Sequence, residues 1–247
     1  MKIEKGGYVD LERFNQIAYA NAYKSYLPAS AKMKSIGQEG DFQIDDGVLT
    51  VYLGEGGEVV VPENVIKIGT SAFQNCKTLT KVTIPENVET IGSYAFNGCT
   101  GLREVVFSEG LKTIESYAFD GCTGLTGELV LPSTMTYIGT YAFYNCIGLT
   151  GGLEIPDSVT TIGNYAFYGC TGLNGKLIIE EGDAKTIGSY AFYGCNNLNG
   201  LELGNGITSI GSYAFYNCNK MTGDLVIPDS VTTVDSYAFS GCSNIAT

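Results

Sequence analysis

IGSYAFNGC (Ile91–Cys99), IGTYAFYNC (Ile138–Cys146) and IGSYAFYGC (Ile187–Cys195) are three copies of one phrase. Eight cysteines, Cys76, Cys99, Cys122, Cys146, Cys170, Cys195, Cys218 and Cys242, close eight copies in all, at spacings of 23, 23, 24, 24, 25, 23 and 24 residues. An Ala-Phe pair precedes each of them, from Ala72-Phe73 to Ala238-Phe239. After each of the first seven cysteines comes a Leu (Met221 in one copy) and a short β-like run that often ends in Ile-Pro, as in LTKVTIPENV (Leu79–Val88). A period of this size marks a solenoid: one coil cannot bury its own apolar edge, and stacking coils makes one continuous core.

Within a coil, alternation puts Leu79, Val82 and Ile84 inward and Lys81 and Thr83 outward. Prolines at 62, 85, 132, 156 and 228 stop the strand, because proline cannot donate to a ladder. Ile91, Ala95, Cys99 and Leu102 recur at helical spacing, which predicts a short helical turn with one face inward. Copies with longer spacing add a glycine before the strand (Gly127, Gly151, Gly175, Gly223), expected to lengthen the turn and leave the register intact. EEGDAK (Glu180–Lys185) replaces the usual Pro-x-x-Val turn and predicts a local bulge.

Ahead of the repeats, FQIDDGVLTVYL (Phe42–Leu53) has two alternating runs around Asp46-Gly47, a hairpin signal. The expected organisation is an N-terminal helix and linker over 1–40, a hairpin cap over 41–57 and the solenoid over 58–247. The helix would run from an Asp10 cap to Tyr26 or Leu27, before Pro28, with Leu11, Phe14, Ile17 and Ala18 as its apolar stripe.

Composition narrows the chemistry. Of 247 residues 44% are hydrophobic and 16% charged, which fits a packed domain rather than a disordered chain. Acids outnumber bases 26 to 14, for a net charge of −12, which argues against a nucleic-acid surface. No histidine is present, so imidazole acid–base chemistry, His-ligated metals and His-activated nucleophiles are excluded. No apolar run is long enough to cross a bilayer. Met1–Asp10 lacks a signal-like stretch, so the chain is expected to be intracellular or a piece of a longer exported protein.

The phrase I-G-x-Y-A-F-x-x-C-x-x-L, followed by a V/L-x-I-P strand, resembles the BspA-like leucine-rich repeats. The resemblance covers about Glu58 to Thr247. It implies a right-handed leucine-rich-repeat solenoid with a parallel sheet on the concave face and short helical turns on the convex face. It implies too a bacterial cell-surface or extracellular setting with a role in adhesion; a cytoplasmic setting stays open. Two departures stand out: no asparagine ladder runs inside the turn, and Ile245-Ala246-Thr247 ends before a recognisable cap, which predicts truncation or end-to-end association.

Candidate sites follow from the columns. Successive cysteines fall within disulfide range, but as inward side chains they read as reduced core thiols, and their spacing is wrong for zinc. Tyr94, Tyr117, Tyr141, Tyr165, Tyr190, Tyr213 and Tyr237 form one tyrosine column, and Tyr144, Tyr168, Tyr193 and Tyr216 a second. They suit either coil-on-coil stacking or glycan recognition. The outward sheet column reads Val60, Thr83, Val106, Val130, Glu154, Ile178, Glu202 and Val226 and is expected to bind a protein ligand, chiefly through Val106, Val130, Glu154, Ile178, Glu202 and Val226. At about 4.8 Å per strand it spans roughly 40 Å. Beside it lies an acidic ridge of Glu63, Glu86, Glu109, Asp157, Glu181 and Asp229, which suits a solvated turn or steering of a basic partner better than a metal. Glu154 and Glu202, two coils or roughly 10 Å apart, are a weak glycosidase pair on an open ridge. The expected function is a non-catalytic interaction scaffold without cofactors; the alternatives are a structural spacer or a carbohydrate binder acting through the tyrosines.

Overall fold

The computed structural model describes residues 40–183 and 185–246. The expected N-terminal helix lies outside the described residues. β1 (Phe42–Asp45) and β2 (Val48–Tyr52) form the antiparallel hairpin. Its two turn residues, Asp46 (φ 48°) and Gly47 (φ 79°), both take the left-handed conformation that a tight primed turn requires.

Each coil then contributes one strand to each of two parallel ladders. In chain order these are β3 (Gly57–Val60), β4 (Lys67–Ile68), β5 (Leu79–Ile84), β6 (Thr90–Ile91), β7 (Glu104–Phe107) and β8 (Thr113–Ile114). They continue through β9 (Gly127–Leu129), β10 (Tyr137–Ile138), β11 (Leu149–Ile155), β12 (Thr161–Ile162), β13 (Lys176–Ile179) and β14 (Lys185–Ile187). The last are β15 (Gly200–Leu203), β16 (Ile207–Ile210), β17 (Gly223–Asp224), β18 (Thr233–Val234) and β19 (Ile245–Ala246). The even-numbered strands from β2 to β18, with β1 at the edge, make one ten-stranded sheet. The hairpin thus starts this sheet, β2 pairing in parallel with β4. The odd-numbered strands make the second ladder in three pieces, β3-β5-β7, β9-β11-β13-β15 and β17-β19.

The breaks correct one expectation. Each falls where a coil entering its strand directly (Glu104, Gly200) is followed by one carrying the extra glycine (Gly127, φ 79°; Gly223, φ 94°). The added residue uncouples such a coil from the preceding one that lacks it, and the first two coils that share it, β9 and β11, pair with a register shift between Leu149 and Leu153. Where β14 meets β16 the register shifts between Lys185 and Thr186, but the extra residue is Thr208 on the β16 side, so this irregularity is not the bulge expected within EEGDAK.

The helical turns are a second correction: no helix occurs among the described residues. Ile91, Ala95, Cys99 and Leu102 are fully buried as their spacing suggested, but on a chain of tight turns. Tyr94 sits at φ 58° and Gly98 at φ 70°, and the corresponding residues of the other coils repeat this pair. A left-handed residue every fourth position stops a right-handed helix from propagating. Backbone N–H groups alternate instead. Those of Ala95, Asn97 and Cys99 donate three residues back within the coil, to Gly92, Tyr94 and Phe96. Those of Tyr94, Phe96 and Gly98 donate to Ser116, Ala118 and Asp120 of the next coil. The turn side is therefore laced to its neighbour by a ladder of its own.

Stacked rings fill the centre. Tyr52, Phe73, Phe96, Phe119, Phe143, Phe167, Phe192, Phe215 and Phe239 lie face to face, with centroids 4.7–5.4 Å apart. Beside them run the cysteines. Each Sγ–H from Cys99 to Cys242 donates to the phenylalanine carbonyl of the preceding coil at 3.0–3.2 Å, beginning with Cys99 to Phe73. That carbonyl also accepts a local N–H, such as Cys76 N–H to Phe73, so the thiol takes its second lone pair.

Candidate partner-binding face

The outward column stands where alternation put it. Register pairs Val60 with Thr83 and Thr83 with Val106, then Glu154 with Ile178 and Ile178 with Glu202. The inward residues between them, Val59, Val82, Leu153 and Leu177, are buried. Val60, Val130 and Val226 are 65%, 73% and 70% exposed. Glu154 and Glu202 are exposed, whereas Thr83, Val106 and Ile178 are half-buried between their neighbours. The breaks divide the column: Val130 and Val226 lie just past the ends of β9 and β17.

Two ion pairs cross the face. Lys81 Nζ meets Glu104 at 2.8 Å, and Lys176 Nζ holds Glu202. Glu154 is differently placed: hydrogen bonding and charge from Glu180, with some burial and the Glu128 charge, push its carboxyl up. Glu180 also accepts the Asp157 N–H at 2.9 Å. Glu154 and Glu202 are thus two strands apart across Ile178, one crowded by Glu180 and the other tied to Lys176. They face open surface and do not act on one point.

All six acids of the ridge, Glu63, Glu86, Glu109, Asp157, Glu181 and Asp229, are exposed. Some are engaged along the ridge. Glu63 accepts from Asn87 Nδ2 at 3.3 Å, and Glu109 accepts from the Ser133 hydroxyl at 2.9 Å. Among the described residues no cluster of Cys, Asp or Glu converges to hold a metal ion.

The tyrosines form a plate. In the longer column ring centroids are 4.6–5.0 Å apart and nearly parallel, and in the shorter one 4.7–4.9 Å. The columns touch at an angle, as at Tyr141–Tyr144, 5.2 Å. Each inner ring therefore spends both faces on its neighbours and shows solvent only an edge. Sugar stacking needs a free ring face, so the geometry favours coil-on-coil stacking over a glycan platform.

The eight cysteines are thiols rather than disulfides, buried except for half-buried Cys242. Burial drives up the pKa values of Cys122, Cys146, Cys170 and Cys195, that of Cys195 to about 12, so these act as core donors rather than nucleophiles.

One charged residue was missed in the sequence. Lys185 is 1% exposed. Its Nζ donates to the carbonyls of Pro156 (2.8 Å), Asp157 (2.5 Å) and Val159 (2.9 Å), which uses all three ammonium hydrogens. Burial lowers its pKa against the opposing charges of Asp157, Glu180 and Asp183. The signal was present: in the longest copy Lys185 takes the place of the Val in Pro-x-x-Val.

Comparison with known proteins agrees with this architecture. A family model described as a BspA type leucine-rich repeat region matches residues 55–174 and 174–247. No curated protein matches the chain. The crystal structure of a T. pallidum leucine-rich repeat protein is similar at 29% identity and a TM-score of 0.63, over 82% of this chain and 91% of that one. A leucine-rich repeat protein from Bacteroides ovatus is similar at 26% identity and a TM-score of 0.54, over 81% of this chain and 58% of that longer one. A parallel solenoid with buried Leu, Ile, Phe and Cys columns and this repeat phrase places the chain in that family: it belongs to the BspA-type leucine-rich repeat proteins.

Proposed function

We propose that the chain is a non-catalytic interaction module that docks a protein ligand on the outward face of the odd-numbered strands, at a bacterial cell surface. The observation that carries this reading is the column itself. Val60, Val130 and Val226 stand largely in solvent, and no described segment covers them. An apolar strip flanked by acids and broken by ion pairs has the anatomy of a docking surface. Membership of a repeat family that usually mediates protein interactions supports it. Adhesion is the form this binding takes by resemblance to the family. The test is a binding screen against immobilised extracellular-matrix proteins and a glycan panel, with Val130→Glu alongside. Saturable protein binding that the variant loses, with its fold intact, supports the reading. Binding that survives moves the site to the acidic ridge or the tyrosine plate.

A further inference from the structure

The second ladder breaks between β15 and β17, and a cleft opens there. β15 pairs with β13 on one side, and β17 pairs with β19. The coils stay together on their turn side, where Phe215 and Phe239 stack at 5.1 Å. The separation is therefore confined to the outward face. The cleft encloses about 560 Å³, and its lining includes Glu181, Leu201, Glu202, Asp224 and Val226. That volume is in the range of sites that hold a ligand or a short stretch of chain.

The lining sets four carboxylates, Glu180, Glu181, Glu202 and Asp224, against one cation, Lys176. Glu202 is held by Lys176. Glu180, also on the lining, crowds Glu154. Glu181 and Asp224 are exposed, and no described lysine or arginine pairs with either. Leu201 and Val226 add apolar surface beside these acids. An apolar wall under uncompensated carboxylates complements a side chain with an aliphatic stem and a cationic head. The exposed edge of β15 adds backbone groups that an extended segment can meet.

The geometry points to this cleft as the seat of a lysine- or arginine-bearing extended segment of a protein partner. This rests on the outward face being a docking surface and narrows it to one place and one partner chemistry. The test titrates the full chain with a fluorescent peptide of alternating lysine and valine, and with its counterpart carrying glutamate for lysine. The lysine peptide binds saturably and more weakly as salt rises, and the glutamate peptide does not bind. Glu181→Lys combined with Asp224→Lys weakens the lysine peptide about tenfold or more. Asp229→Lys, on the ridge but off the cleft lining, leaves it unchanged. Equal weakening by Asp229→Lys assigns the attraction to the net charge of the chain and overturns the proposal. Failure of the lysine peptide to bind the unaltered chain overturns it too. Neither failure touches the wider reading, which Val130→Glu decides against whole proteins.

Discussion

Tyr165 is held at φ 58°, a conformation that costs an L-residue about 1–2 kcal/mol and glycine almost nothing. Its ring stacks on Tyr141 at 4.6 Å and on Tyr190 at 4.7 Å. Two aromatic contacts of this kind contribute about 2 kcal/mol together. Tyr165→Ala removes both contacts and keeps the strained backbone, so it is destabilised by about 2 kcal/mol. Tyr165→Gly loses the same contacts but relieves the strain, offset in part by glycine's greater freedom when unfolded. It should therefore be the more stable of the two by about 1 kcal/mol, an inversion of the usual order. The neighbouring Ala166, buried with an ordinary φ, supplies the control: Ala166→Gly loses about 1 kcal/mol or more. Urea denaturation of the four chains, compared at a common slope, gives the order. If Tyr165→Ala proves more stable than Tyr165→Gly, the left-handed turn is wrong, and with it the reason the coils are not helical.

Three further outcomes follow from other columns. Lys185→Met strips three carbonyls, two of them buried, of a charged donor and, after allowing for relief of the lysine's own desolvation, costs about 2 kcal/mol in the same denaturation assay; unchanged stability would show the cage to be dispensable. A thiol reagent should label Cys242 readily and the seven buried cysteines only after unfolding, with fast labelling of the native core ruling out the thiol-to-carbonyl ladder. Burial raises the Glu115 pKa, but hydrogen bonds from Lys67 and Ser93 and the Lys67 charge outweigh it, so the folded value lies below the unfolded one. Its stabilisation is complete above the unfolded value of about 4.3 and is lost as pH falls through the folded value; Glu115→Gln should weaken the neutral-pH midpoint and converge with the parent chain in acid.

The strand side was legible because its rule is simple. Period-two alternation fixed Leu79, Val82 and Ile84 as inward, and all three are fully buried. The Asp46-Gly47 pair marked the hairpin for an equally local reason, since both residues tolerate positive φ. The turn side misled because Ile91, Ala95, Cys99 and Leu102 do share an inward face at helical spacing, and a chain of tight turns makes the same pattern. What tells the two apart is the residue before each cysteine: Asn75, Gly98, Gly121, Asn145, Gly169, Gly194, Asn217 and Gly241. Only glycine and asparagine occur there, the two residues that most readily turn left-handed, and all eight have positive φ. The tyrosine partner gave no such warning, because nothing in its own chemistry favours that conformation; Ser71, which has no ring to stack, takes it in the first coil at φ 58°, so the turn itself sets it.

The same logic explains why the site is harder to read than the fold. An inward residue must match its neighbour one coil away, so Phe stacks on Phe and Cys repeats under Cys, and the repetition announces itself. An outward residue answers to no such condition. Val60, Thr83, Val106, Val130, Glu154, Ile178, Glu202 and Val226 share a register yet differ in kind. Stacking alone does not require that mixture, since β-branched residues throughout would satisfy the sheet. The acidic departures fall in the second half of the column, where Glu154 and Glu202 enter; an ion pair and a break in the ladder occur in both halves, Lys81–Glu104 and Gly127 in the first, Lys176–Glu202 and Gly223 in the second. Charge placed on a sheet face at the expense of β propensity, next to a break that exposes a strand edge, contributes little to the solenoid's own stability. It contributes to discrimination between partners, which is why specificity is to be sought at this end of the face rather than along its uniform length.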